Sequence, residues 1–163
     1  MSRSGYTDDC DDNWALIRWR GAVASAIRGS RGQAMLREVA EALDALPEKR
    51  LAAESLVTAD GEYCTLGALG RARGIDMIPI DPEDRQAVAH TFGVAEALAA
   101  EIMYLNDEYI DDWKWIKVEI CGPVRPGYPD YGRRRRSVRV KNERAAEQRW
   151  QYMRDWVAKQ IAA

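Results

Sequence analysis

Residues 113–120 read WKWIKVEI and alternate at every step. Trp113, Trp115, Lys117 and Glu119 fall on one side, with Lys114, Ile116, Val118 and Ile120 on the other. A two-residue period is the signature of a β-strand. It adds sheet to a chain whose remaining periodicity is helical, and so sets the fold class as α+β, mainly α. Beyond it, residues 121–132 hold three prolines and three glycines, the composition of a loop. Ser137–Val140 can pair back as a second strand. Asn142 is placed to cap a final helix, whose stripe is Ala146, Trp150, Met153, Val157 and Ile161. Residues 113–141 therefore read as a basic β-hairpin-like insertion and 142–162 as the C-terminal helix.

Upstream, apolar residues recur at helical spacing. Leu16, Trp19, Val23, Ala26 and Ile27 predict a helix from Trp14 to about Arg28, stopped by Gly29. Met35, Leu36, Val39, Leu43 and Leu46 mark a second, ended by Pro47. Asp60-Gly61 tolerates the positive φ of a tight turn, so 50–57 and 62–66 read as a short hairpin. Its first arm conflicts with the helical preference of Ala52, Ala53 and Glu54. A short helix is expected from Leu66 to Arg73, closed by Gly74. Another opens at Asp81-Pro82-Glu83-Asp84 and breaks at Gly93, and a third runs from Val94 to Leu105. The expectation is one domain over residues 1–163, helical, with one or two small antiparallel hairpins.

With 163 residues, the chain can bury roughly two-thirds of its unfolded surface and needs no staple. Its three cysteines, Cys10, Cys64 and Cys121, are odd in number and have no paired spacing, so they read as free thiols. Free thiols suit a reducing compartment, so a cytoplasmic site is expected. No apolar run approaches the ~18 residues of a membrane span.

Chemical signatures are weak. His90 is the single histidine, with no partner constellation for a triad or a metal. Asp9, Asp11 and Asn13 begin like an EF-hand loop, but Trp14 stands where the turn glycine belongs and Arg20 where the bidentate glutamate belongs. That cluster, and Asp107-Glu108-Asp111-Asp112, read as capping and solvated carboxylates. Gly67, Gly70 and Gly74 lack the paired glycines of a dinucleotide loop. They fit a short helix lying close to a neighbour, with Gly74 as its C-cap. Ser30-Arg31-Gly32 is no phosphate loop, and no nucleophile has a base partner in the pattern. No catalytic residue, cofactor or metal is assigned.

Charge is unevenly spread. Residues 1–112 carry 11 Lys and Arg against 21 Asp and Glu, whereas residues 113–163 carry 13 against 5. The peak is Arg133-Arg134-Arg135-Arg136, flanked by Arg125, Arg139 and Lys141, with Tyr128 and Tyr131 interleaved. Adjacent arginines cannot all face a core, because burying an unpaired guanidinium is costly. They reach an acidic partner, a nucleic acid or the chain's own acidic half. The basic-aromatic mixture suits phosphate contact and base stacking. Tryptophan and arginine also dominate protein interface hot spots, which adds Trp113 and Trp115 to the candidate contact residues.

Four stretches carry a resemblance: WALIRWRGAVASAIRGSRGQAMLREVAEALDALPEKRL, GEYCTLGALGRARGIDM, LNDE and the terminal RWQYMRDWVAKQI. Together they resemble a family of small proteins of prophages and temperate phages of proteobacteria, over roughly residues 1–110 and 147–161. Residues 113–146 depart from it, because the relatives pass to the last helix by a short acidic link. The resemblance implies a phage or prophage origin and an accessory role, with no activity to carry over. By analogy, such a protein binds a host protein or complex, for example a CRISPR-type defence complex, without catalysis. The alternatives are nucleic-acid binding through the arginine-rich hairpin, or an acidic nucleic-acid mimic.

Overall fold

A computed structural model describes residues 3–5, 13–122, 125–128 and 132–161. Six helices and one two-stranded antiparallel sheet make the fold α+β, mainly α. In chain order these are α1 (Asn13–Arg28), α2 (Ser30–Ala45), α3 (Thr65–Ala72), α4 (Arg85–Phe92), α5 (Glu96–Glu108), β1 (Trp113–Ile120), β2 (Arg134–Lys141) and α6 (Ala145–Ile161). The chain divides into a helical unit, up to Ile110 and again from Ala146, and a second unit over Asp111–Ala145.

In the helical unit, α2 supplies the central stripe. Met35, Leu36, Val39 and Leu43 are buried, and α2 packs on α1 and α3. The α1–α2 corner depends on Gly32, where an added Cβ would sit 1.9 Å from the Ala26 carbonyl oxygen. α5 packs on α1, α3 and α4 through Leu98, Ala99, Ile102 and Met103. α6 adds Met153 and Val157 to the same core, and its Trp150 Nε1 donates to the Leu43 carbonyl at 3.0 Å.

Several boundaries differ from the sequence reading for local reasons. The Asp60-Gly61 turn forms, with Gly61 at φ +79°, but it closes only the isolated Val57–Tyr63 bridge. No strand precedes it, because Glu54 sits at φ +61° and breaks the extended arm. The segment pairs irregularly instead: Ala52 N donates to Tyr63 O, and Cys64 N to Leu56 O. α4 begins at Arg85 rather than at Pro82, because the Asp84 carboxylate accepts from Ala87 N at 3.0 Å and caps it there. The glycine reading of α3 holds. A Cβ on Gly67 would lie 1.8 Å from Leu56 O, and Gly74 follows the helix at φ +67°.

Polar groups lock these elements together. Asn106, 1% exposed in the last turn of α5, uses its whole side-chain amide. Its Oδ1 accepts from Thr65 N (3.0 Å) and Thr65 Oγ1 (2.8 Å), and its Nδ2 donates to Ala52 O (2.9 Å) and Asp107 Oδ1 (2.8 Å). Arg149 of α6, 2% exposed, donates to the carbonyls of Asn106 (2.7 Å) and Leu51 (2.9 Å). Asp107 lies inside rather than in a solvated acidic cluster. It pairs through both oxygens with buried Arg3 and accepts from Glu54 N at 3.1 Å. Burial disfavours the charged guanidinium of Arg3, but the nearby Cys64 and Asp107 outweigh it and raise its pKa.

Removing a partner from a buried network leaves the rest unsatisfied, at about 1–3 kcal/mol per group. Asn106→Ala is therefore expected to destabilise the fold by about 3 kcal/mol or more, read from urea unfolding. Breaking the exposed Arg154–Asp44 pair (2.7 and 2.8 Å) with Asp44→Asn should cost less than about 1 kcal/mol.

Glu101 gives a pH test. It is half-buried, and burial pushes its carboxyl up, only partly opposed by Arg20. The folded state therefore holds that proton to higher pH than the unfolded chain does. The favourable contribution is complete below the ordinary carboxylate range and is lost as pH rises through the raised value. Glu101→Gln should raise the thermal midpoint at about pH 7, and the gain should shrink as pH falls through the raised value and be gone below about 4.

Candidate functional site

Three features are candidates: a buried thiol cluster, an apolar groove and the β-ribbon. The thiol cluster is Cys64, with Arg3 and Asp107 nearby. Cys64 is the N-cap of α3, its Sγ accepting from Gly67 N at 3.4 Å. It is 1% exposed, so its chemistry is turned to packing rather than to a substrate. His90 stands exposed on α4, and no group of three metal-ligating side chains occurs among the described residues. The groove, of 570 Å³, is lined by Trp19, Val23, Ile27 and Trp156 with Arg20 and Glu101 among its polar residues. It offers an apolar floor without a convergent set of polar groups.

The ribbon is built differently. β1 pairs antiparallel with β2 from Trp113↔Lys141 to Ile120↔Arg134. The pairing continues through Gly122 N, which donates to Gly132 O at 3.0 Å. There the two glycine Cα positions crowd so closely that a Cβ on either would stand 3.1 Å from the other. β2 is longer than Ser137–Val140, because the arginine run enters the strand and matches β1 residue for residue. A strand exposed on both faces tolerates arginine at consecutive positions, since each side chain reaches water.

Directly paired residues share a face. The register therefore gathers Trp113, Trp115, Lys117, Glu119, Arg135, Ser137, Arg139 and Lys141 on one face. Lys114, Ile116, Val118, Ile120, Arg134, Arg136, Val138 and Val140 form the other. Of the residues proposed from sequence, Trp113, Trp115, Arg135, Arg139 and Lys141 come together, while Arg134 and Arg136 point oppositely. Arg133 is exposed just ahead of β2. Arg125 and Tyr128 close a turn at the ribbon's far end, Tyr128 N donating to Arg125 O at 3.1 Å across Pro126-Gly127. Tyr131 lies outside the described residues, as do Cys10 and the acidic residues before Asn13.

On the tryptophan face, the Arg139 guanidinium carbon stands 5.0 Å over the Trp113 ring, a cation–π contact. Trp115 is left 71% exposed. Within β1 and β2, seven cations stand against one carboxylate, Glu119. Asp111 anchors the start of β1, its Oδ1 accepting from Trp113 N at 2.8 Å, and Asn142 N donates to Asp112 O at 2.7 Å where the ribbon ends.

No family model, curated protein or solved structure matches the chain. Among the described residues, no single helix is long and apolar enough to cross a membrane.

Sequence reasoning missed the buried polar side chains Arg3, Asn106 and Arg149. Asn106-Asp107 was visible only as part of LNDE, and Arg149 sits one position from the apolar stripe of α6.

The ribbon arginines are exposed, so they hold little of the fold. Arg134→Ser, Arg135→Ser and Arg136→Ser together should leave the far-UV circular dichroism unchanged and shift unfolding by no more than about 0.5 kcal/mol per site.

Proposed function

We propose that the chain is a phage- or prophage-encoded accessory protein that binds a host macromolecule without catalysis, using the ribbon as its contact surface. The carrying observation is the tryptophan face, where Trp113 and Trp115 lie beside Arg135, Arg139 and Lys141 on a sheet with no third strand among the described residues. A bare two-stranded ribbon is marginal in water, and large aromatic rings left exposed on it mark a surface awaiting a partner. Host takeover or inhibition of a defence complex, such as one of CRISPR type, is the role that fits an accessory phage protein. The family resemblance over residues 1–110 and 147–161 supports the phage origin.

Acidic mimicry has less support. Of the cluster it would present, Asp107 is buried against Arg3, and Asp111 accepts from Trp113 N. Catalysis has less as well, since the buried thiol and the solitary exposed histidine do not converge on one cleft.

The test is capture of a partner from bacterial lysate by the tagged chain. The parent should retain a specific partner, and the triple serine variant at Arg134, Arg135 and Arg136 should lose it by on the order of tenfold or more. Retention by the variant at parental levels would refute the ribbon as contact surface.

A further inference from the structure

We infer that the ribbon's partner is double-stranded DNA, held in the major groove with cations from both ribbon faces. This rests on the reading of the ribbon as contact surface and narrows its target. The decisive observation is the division of charge. Lys117, Arg135, Arg139 and Lys141 stand on the tryptophan face, and Lys114, Arg134 and Arg136 on the aliphatic one. A flat protein surface meets one face of a ribbon and leaves the other's cations in water, where they contribute little. A groove encloses the ribbon, with phosphates along both walls.

Size agrees. Two strands lie about 4.8 Å apart, and eight residues extend about 27 Å. The major groove of B-DNA, about 12 Å wide, admits a two-stranded ribbon. Over about 27 Å of helix axis a duplex presents about 16 phosphates, an ample match for the seven ribbon cations. The arginine forks suit bidentate contact with guanine edges.

Two rival accounts fit less well. Charge that merely guards sheet edges against pairing needs a lysine or two, not seven cations against one carboxylate. A single-strand platform needs successive bare aromatic rings. Here β1 offers only two rings, Trp113 and Trp115, and Arg139 already stands over one face of Trp113.

The experiment is fluorescence anisotropy of the full chain with a mixed-sequence DNA duplex of about 20 base pairs, titrated with salt from about 50 mM. Binding is expected, with log K falling against log salt at a slope of about −4 or steeper. The double variants R134S/R136S and R135S/R139S should each flatten that slope by about 2, because phosphate contacts come from both faces. Glu119→Lys should steepen it by about 1, a readout that survives should a serine variant unfold. A single strand of equal length should bind on the order of tenfold more weakly. Absence of duplex binding at the lowest salt, a preference for single strands or duplex RNA, or full slope in either double variant overturns the inference. If duplex binding is absent while a host protein is captured and then lost in R135S/R139S, only this inference falls. If neither duplex nor host protein is bound, the proposed function falls with it.

Discussion

The helical unit depends on one buried amide. Asn106 sits where the end of α5, the start of α3 and the irregular segment after α2 converge, and each element brings backbone groups with no helical partner. Buried N–H and C=O groups must be paired, and no apolar residue at this position could pair them. Asn106 satisfies two donors and two acceptors, and its own carbonyl receives Arg149 from α6. Four parts of the chain distant in sequence are thereby fixed to one another by directional bonds, around which the apolar core closes.

Asp107 extends the node to a strained site. Glu54 holds φ +61°, a conformation that costs a non-glycine residue about 1 kcal/mol or more and persists only where its surroundings impose it. Its N–H is held by Asp107 Oδ1, which is braced by Arg3. The kink at Glu54 directs Leu51, Ala52 and Leu56 inward, where all three are buried. A carboxylate that the residue pattern places with its solvated neighbours thus shapes a loop from within.

How much of this was legible follows from what periodicity reports. Stripes such as Met35, Leu36, Val39 and Leu43 state which face a helix buries, so the helices and the first ribbon strand were readable. The pairing of Arg134–Arg136 was not, because strand propensity says little about arginines when neither face is buried. Nor was the node. Asn106 and Arg149 are polar residues whose placement depends on carbonyls far away in sequence, and local pattern carries no record of those. The missing strand near residue 54 has the same origin, since the residue types allowed an extended arm and a distant carboxylate prevented it. At the ribbon, the alternation of 113–120 placed the two tryptophans on one side. The division of the arginine run between faces required the register.

Asn142 N bonds to Asp112 O, and Asn142 Nδ2 to Asp111 O at 3.2 Å, so the chain enters and leaves the ribbon at neighbouring points. A segment whose two ends are clamped together behaves as a cassette. Its length and sequence can vary without altering the distance the flanking helices must bridge, as in domain insertion. Substitutions in the cassette can accumulate while the Asn106 node stays constant. The same scaffold can then carry a different insertion, or a short link and none.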